Sequence, residues 1–203
     1  MKNSFYSIFI RKQILASCLI IISLVFADPS STFHFTNCGQ LGNYGPSQSQ
    51  CEFYYSGTTL ESNVDLVSGV QIWEVPLSGL YRIKSNGSQG AGDGSYTGGL
   101  GAQIIGNFEL EQGELIKILV GQKGEEASNC VCGNGGGGTF VIRYPFNTKQ
   151  SILVIAGGGG GSHYNGDGFP GSADSNSTGQ YSDNDGQGGA CYDFSPGGGG
   201  GFF

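Results

Sequence analysis

The sequence has little charge, and positive charge is the scarcer kind. Charged residues make up 12% of the 203 residues, with 9 lysines and arginines against 16 aspartates and glutamates. The net charge of −7 at pH 7 argues against partners that are bound through basic surface, so we expect neither nucleic acid nor anionic lipid. Histidine is scarce too, since the chain holds only His34 and His163.

The chain also lacks the usual catalytic and nucleotide-binding motifs. Residues 133–138 match G-x-G-x-x-G, but a strand pattern follows where a dinucleotide-binding fold requires a helix. Neither G-x-x-x-x-G-K-[ST] nor G-x-S-x-G occurs. Ser162 and His163 are adjacent, but no third group is placed to orient them as a triad. We therefore predict no catalytic residue, and the chain is not expected to be an enzyme.

Metal-binding patterns are weak. Cys130 and Cys132 have a Cys-x-Cys spacing with no second pair and no nearby histidine, which is a poor zinc half-site. Residues 183–186 slightly resemble a calcium loop but lack its closing glutamate, and a solvated acidic turn is the alternative reading. The sequence predicts no metal site and no cofactor.

Only one long apolar run occurs, at residues 14–26. It is short for a membrane span, it follows the basic residues Lys2, Arg11 and Lys12, and it ends near the small residue Ala27. These features predict a signal peptide that is cleaved after Ala27. An uncleaved N-terminal anchor is the alternative.

The predicted cleavage divides the chain into a signal peptide, residues 1–27, and one exported domain, residues 28–203. It removes three of the nine basic residues and none of the 16 acidic ones, which leaves a net charge of −10. The mature part shows no second membrane-spanning run, so this chain is not expected to insert into a membrane itself. We expect it outside the cell, secreted or on the outer face of the plasma membrane.

Export makes disulfides and glycans expected modifications. Cys38 and Cys51 bracket a loop rich in glycine and polar residues, which a bridge would fix. The mature chain has an odd number of cysteines, so one of them is free, intermolecular or paired beyond residue 203. Asn86 and Asn176 each begin an N-x-[ST] sequon, and such short motifs are also found unused.

Alternating apolar and polar residues predict short strands and no amphipathic helix. Trp73 is interpreted as a packing residue, and residues 69–75 and 80–84 are predicted to form a hairpin. The other predicted strands are residues 33–36, 103–110, 114–120, 139–144 and 151–155. This pattern is typical of an all-β sandwich or jelly roll.

Glycine is the most abundant residue type, with 39 residues. Its runs read as low-complexity, disordered sequence, or alternatively as extended threefold helices that bond to one another, since only glycine permits such close packing. The three blocks that could supply such helices consist of Gly135, Gly136, Gly137, Gly138, Gly157, Gly158, Gly159, Gly160, Gly161, Gly197, Gly198, Gly199, Gly200 and Gly201.

Several motifs occur in one order along the chain. FHFTNCG stands at residues 33–39, GPSQSQC at 45–51, GVQIWEVP at 69–76, GGGGTFV at 135–141 and IAGGGG at 155–160. Together they resemble the glycine-rich extracellular domain of the anaplastic lymphoma kinase and leukocyte tyrosine kinase receptors. The resemblance covers residues 33–201.

The resemblance implies a jelly-roll β-sandwich like that of tumour necrosis factor, with polyglycine II segments packed beside it. It also implies a Cys38–Cys51 bridge and a partner for Cys191 further along a longer chain. In those receptors the domain binds small secreted proteins, and dimerisation activates an intracellular kinase. The implied partners are therefore a secreted protein ligand and a second receptor chain.

The chain departs from this family in several respects. It carries no spanning segment after the domain, no EGF-like module and no kinase, and its glycine-rich part is shorter. We interpret it as a C-terminally incomplete, ligand-binding extracellular domain, although no ligand contact can be assigned to a residue. The alternative is a secreted structural or adhesive protein, for which the tyrosines of the glycine-rich tail would be suited. A third alternative, a carbohydrate-binding β-sandwich, is supported by analogy of fold alone and ranks last.

Overall fold

The computed structural model describes residues 31–126 and 133–172, which form strands and one short helix. Residues 1–27, Cys130, Cys132, Cys191, Asn176 and the block 197–201 lie outside this part, so the predictions made for them are not addressed. The elements are α1 Gln48–Tyr55, β1 Val64–Val67, β2 Val70–Glu74, β3 Gly79–Asn86, β4 Gln103–Leu110, β5 Leu115–Leu119, β6 Thr139–Arg143 and β7 Ile152–Ala156, with a 3-10 turn at Lys149–Ser151.

Two antiparallel sheets build the core. The larger has the order β1-β2-β5-β6-β7, and the smaller consists of β3 and β4. The smaller sheet packs on β6 and β7, and the inner faces bury Val75, Leu110, Ile116, Val141 and Val154. The predicted all-β architecture is confirmed, whereas the jelly-roll connectivity stays a prediction.

The predicted hairpin of residues 69–75 and 80–84 is wrong, because these strands lie in different sheets. β2 pairs with β1 and β5, with Trp73 opposite Ile116, while β3 pairs along its length with β4. Val75 extends the pairing of β2 with the turn before β5: its N–H donates to Glu114 O at 2.9 Å, and Gly113 N–H donates to Val75 O at 2.9 Å. The turn after Val75 therefore carries the chain across to the smaller sheet.

Residues 33–36 are not a strand of either sheet, which corrects a second prediction. They run alongside the core instead, where the ring centroids of Phe33 and Phe35 lie 4.9 and 5.7 Å from that of Trp73. Tyr81 of β3 contacts the indole from another side, at 6.0 Å. Trp73 is only 5% exposed and is a packing residue, as predicted.

Helix α1 was not predicted, and it replaces part of the loop expected between Cys38 and Cys51. Its start is fixed by a capping box: Gln50 N–H donates to Ser47 Oγ at 3.3 Å, and Ser47 N–H donates to Gln50 Oε1 at 2.8 Å. The S-x-x-Q pattern at 47–50 was the available signal for this helix start.

The helix also covers the outer edge of β1. The Gln48 carboxamide forms the hydrogen bonds that the backbone of a neighbouring strand would form. Its Oε1 accepts from Leu66 N–H at 2.8 Å, and its Nε2 donates to Val64 O at 3.2 Å. An exposed strand edge invites pairing with other chains, and this side chain occupies part of that edge.

A buried polar network links α1 to β2 and to the segment before the helix. Gln71 is 1% exposed, and its Nε2 donates to Thr36 O at 2.7 Å while its Oε1 accepts from the Tyr55 hydroxyl at 2.6 Å. The Tyr55 oxygen in turn accepts from Thr36 N–H at 3.0 Å. The network lets a glutamine occupy a core position at little cost, since its polar atoms are satisfied.

Burial raises the pKa of the Tyr55 hydroxyl above its usual value of about 10, because the ionised form is poorly solvated there. The folded protein thus holds this proton more tightly than the unfolded chain does. The stability contributed by this difference is complete below about pH 10 and is lost as the pH rises through the raised folded pKa.

Replacing Tyr55 by phenylalanine is expected to lower the free energy of unfolding by about 1–3 kcal/mol, because Gln71 Oε1 loses its donor inside the core. Chemical denaturation at neutral pH measures the change. Tyr54→Phe is the matched control, since Tyr54 is 51% exposed, and it should stay within about 0.5 kcal/mol of wild type. Equal stability of the two variants would show that the network contributes nothing.

Candidate recognition surface and glycine bundle

Extended glycine-rich segments continue the strands beyond one end of the sandwich. The chain enters them after β3, β5 and β7 and leaves them before β4 and β6. We call this set the glycine bundle, and it consists of residues 87–92, 97–102, 121–125, 133–138, 157–162 and 166–171. Neighbouring segments of the bundle are joined by backbone hydrogen bonds.

These hydrogen bonds recur at intervals of three residues. Gly87 and Gly90 donate to Ala102 O and Gly99 O at 2.8 and 3.0 Å. The residue after each of these glycines bonds to a different segment. Ser88 N–H and Ala91 N–H donate to carbonyl oxygens of the 133–138 segment at 2.9 and 2.8 Å. In a helix with three residues per turn, every third residue faces the same neighbour, so the spacing fits the polyproline II geometry.

The segment 157–162 has neighbours on several sides. Gly159 N–H donates to Ser88 O at 2.9 Å and its carbonyl accepts from Gly136 N–H at 2.7 Å. Gly160 O accepts from Gly99 N–H at 2.8 Å. Backbone groups that are buried here thus find partners in other segments, which a polar backbone away from water requires.

The spacing of the segments leaves no room for side chains at many glycines. A Cβ atom on Gly159 would overlap the carbonyl of Gly99, and one on Gly161 would overlap that of Gly133. Because the obstructing atoms are backbone, they cannot swing aside as a long side chain would. At Gly166, by contrast, no heavy atom lies within 4 Å of the added Cβ.

The structure therefore brings together two of the three predicted blocks, 135–138 and 157–161, and adds segments that were not predicted to belong to such helices. The added segments carry glycines three residues apart rather than runs of four or five. The pairs are Gly87 and Gly90, Gly98 and Gly101, Gly121 and Gly124, and Gly168 and Gly171. This three-residue spacing was the signal that could have revealed them.

Gly159→Ala is expected to destabilise the domain by at least about 2 kcal/mol, because the added methyl group must push the segments apart. Gly166→Ala is the matched control and should change the stability by less than about 1 kcal/mol, since its Cβ meets open space. Thermal unfolding followed by circular dichroism gives both values. If the two variants unfold together with wild type, the close packing at Gly159 does not exist in solution.

A disulfide fastens the loop before α1 to the helix. Cys38 and Cys51 are bridged with a Cα–Cα distance of 5.0 Å, and both residues are buried. Gln50 Nε2 also donates to Gln40 Oε1 across the same interface, at 2.8 Å. The loop is thus held to the helix at more than one point.

Replacing both cysteines of this bridge by serine is expected to cost about 3 kcal/mol, as is typical for a closed loop of this size. The double variant avoids a leftover free thiol. Urea denaturation with and without reductant measures the loss, and the reductant should lower the midpoint of the variant less than that of wild type. A midpoint equal to that of the oxidised wild-type protein would contradict a stabilising role.

The helix, the loop before it and the end of β1 expose several large apolar side chains. The exposed fraction is 80% for Phe53 and 76% for Tyr44. We call this group the recognition surface, and it consists of Leu41, Tyr44, Phe53, Tyr54 and Val67. Exposed apolar side chains that lie together mark interaction sites on many proteins, so this group is the candidate binding surface.

Backbone contacts hold this surface in shape. The Tyr54 ring lies directly against Gly39, where a Cβ would overlap it, and the backbone of Gly45 touches that of Gly69 beside Val67. Gln122 of the glycine bundle donates from Nε2 to Tyr44 O at 2.7 Å. The loop that carries Tyr44 is therefore tied to the helix that carries Phe53 and Tyr54, to a strand turn and to the bundle.

The surroundings of the recognition surface are acidic. Between Lys12 and Arg82 the sequence has no lysine or arginine. Glu52 and Asp65 line a shallow pocket of about 230 Å³ between α1 and β1, and Glu125 lies beside Gly42 of the loop. The ion pair found in the described residues joins strand β6 to the turn before β5, away from this surface. A partner for this surface would therefore meet net negative charge.

Comparison with known proteins confirms the receptor resemblance in part of the chain. The chain is 36% identical to the leukocyte tyrosine kinase receptor of Mus musculus in an alignment 106 residues long, gaps included, which covers 46% of this chain and 11% of that receptor. The match thus spans a small part of the length of the curated relative. No protein-family model matches the chain.

Proposed function

We propose that this chain is an extracellular protein-recognition domain of receptor type, which binds a secreted protein ligand through the recognition surface. Its likeness to part of a receptor supports the proposal. The proposal includes export directed by residues 1–27 and a second receptor chain as a further partner. In the described part of the chain, no helix is long and apolar enough to cross a bilayer.

The observation that carries the proposal is the set of exposed rings on a cross-linked support. Tyr44, Phe53 and Tyr54 project from the disulfide-bridged loop and helix rather than from a free segment. Aromatic side chains dominate the binding energy of many interfaces, and a fixed support reduces the entropy lost on binding. The arrangement therefore suits recognition of another protein.

The charge of this region indicates the kind of partner. Glu52 and Asp65 line the pocket beside α1, and Glu125 lies beside Gly42. The neighbouring bundle segment 121–125 adds one cation, Lys123, which leaves the carboxylates in excess. Complementary charges steer association and suppress unsuitable partners. A ligand with an apolar centre and basic residues around it fits this surface best.

The alternative is a secreted structural or adhesive protein. Tyr164, which is 62% exposed, is the one of the three tail tyrosines that lies in the described residues. In this alternative the domain would bind copies of itself or matrix rather than a soluble ligand. The binding experiment below separates the two.

Phe53→Ala is expected to weaken ligand binding at least tenfold, which corresponds to about 1.4 kcal/mol. The secreted domain is immobilised and tested against a panel of small secreted proteins presented singly, and the dissociation constant of each bound protein is measured. Removing the ring leaves the fold intact, because Phe53 is 80% exposed. Raising the salt concentration should slow association with a basic ligand.

Leu80→Ala is the control, because Leu80 is 67% exposed on β3 in the other sheet. It should leave the dissociation constant within about twofold of wild type. If the affinity for a ligand fell on replacing Leu80 and not on replacing Phe53, the binding site would lie on another face of the domain. Self-association without any soluble ligand would favour the structural alternative.

A further inference from the structure

Asn86 stands at a junction between the smaller sheet and the glycine bundle. It is the last residue of β3 and is exposed, opposite Gln103 on the outer face of the sheet. Gln103 Nε2 donates to Asn86 Oδ1 at 2.8 Å. This bond uses the carboxamide oxygen and leaves the nitrogen, which is the atom that carries an N-linked sugar.

Ser88, the third residue of the same sequon, is held inside the bundle. Its hydroxyl donates to Gly121 O at 2.7 Å, its N–H donates to Gly137 O at 2.9 Å, and its carbonyl accepts from Gly159 N–H at 2.9 Å. A Cβ atom on the middle residue, Gly87, would overlap the carbonyl of Gly157, so this position is also closely packed. Ser88 is half-buried, and an enzyme that must recognise the sequon hydroxyl would first have to break these bonds in the folded domain.

We propose that Asn86 carries an N-linked oligosaccharide, which is attached before the glycine bundle closes. The donor is a lipid-pyrophosphate-linked oligosaccharide. A bond forms between Asn86 Nδ2 and the first carbon of the reducing-end sugar, the bond from that carbon to the pyrophosphate oxygen breaks, and the lipid pyrophosphate leaves with the electron pair. The nitrogen loses one proton to a base, and no oxidation or reduction takes place.

The folded structure accommodates the product at this position. The sugar would replace a hydrogen of an exposed nitrogen while the Gln103 bond to the oxygen is kept. Ile105 is the diagonal neighbour of Asn86 across the strands and is 47% exposed, so a glycan at Asn86 would shield it. The outer face of β3 and β4 would then be covered near the bundle, while the recognition surface, which is built on α1 and β1, stays uncovered.

The site is tested by expressing the full chain in a secreting eukaryotic cell and mapping its peptides with and without peptide N-glycosidase F, which converts a glycosylated asparagine to aspartate. Because Asn86 precedes Gly87 and an Asn-Gly pair also deamidates spontaneously, only a conversion that requires the enzyme and removes the mass of a sugar counts. We expect this conversion at Asn86, and we expect it to disappear in Asn86→Gln. Asn176→Gln removes the other sequon and should leave the Asn86 signal unchanged. A secreted chain in which Asn86 is never converted would overturn the site.

The order of events is tested with unglycosylated chain made in the bacterial periplasm. It is incubated with purified oligosaccharyltransferase and the lipid-linked donor, either folded or after reduction and unfolding. We expect modification of Asn86 only in the unfolded sample. Equal modification of the folded sample would show that Ser88 is not sequestered.

The inference rests on the proposed function only in requiring that the chain is exported. Replacing residues 1–27 by another leader distinguishes a failure of the glycosylation site from a failure of export by residues 1–27. The same experiment is run with the native residues 1–27 and with an established secretory leader in their place. Conversion of Asn86 behind the established leader alone would support the site and contradict export by residues 1–27. Secretion without conversion in both cases would reject the site and leave the export prediction standing.

Discussion

The structure depends on the need to satisfy the backbone groups of segments that have almost no side chains. Glycine offers no apolar surface to bury, so the bundle has to be held by hydrogen bonds between segments and by the close contact that the missing Cβ permits. Gly159 shows both effects, because its backbone bonds to two segments and its α-carbon lies against a third. Any side chain at such a position separates the bonded groups.

The strands of the sandwich fix the positions of the glycine segments, which would have little tendency to become ordered by themselves. Each segment loses much conformational entropy on becoming extended, and antiparallel strands reduce this loss by delivering segments in fixed register. Thr139 forms one of the joints, since its Oγ1 donates to Asn86 O at 2.7 Å and accepts from Gly121 N–H at 2.9 Å. One side chain thus joins β6, the end of β3 and the segment after β5. The bundle in turn supports the recognition surface, because Gln122 holds the loop at Tyr44.

Sequence reasoning succeeded where the signal was local. Residues 103–110 alternate along their length and form β4 with those bounds, and residues 139–144 and 151–155 flank a turn and pair as β6 and β7.

Sequence reasoning failed to find the partner of β3. Segments of the glycine bundle lie between β3 and β4 in the chain, so no local pattern indicates that these two strands pair. Gln71 could not be assigned to the core from sequence, since its burial depends on Thr36 and Tyr55, which are distant in the chain. The exposure of Phe53 likewise depends on the phase of a helix that was not predicted. The disulfide and the receptor resemblance were found because cysteine spacing and ordered motifs are visible in the sequence itself.

The central claim is that the glycine segments form an ordered, hydrogen-bonded bundle, and amide hydrogen exchange measured residue by residue with NMR tests it most directly. Exchange requires that the hydrogen bond opens, so an amide in a cooperative unit is protected by the free energy of opening that unit. The account predicts that the amides of Gly99, Gly136, Gly159 and Ser162 are protected to a similar degree as those of the strands. Exchange of these amides at the rate of an unstructured glycine-rich peptide, beside protected strands, would contradict it.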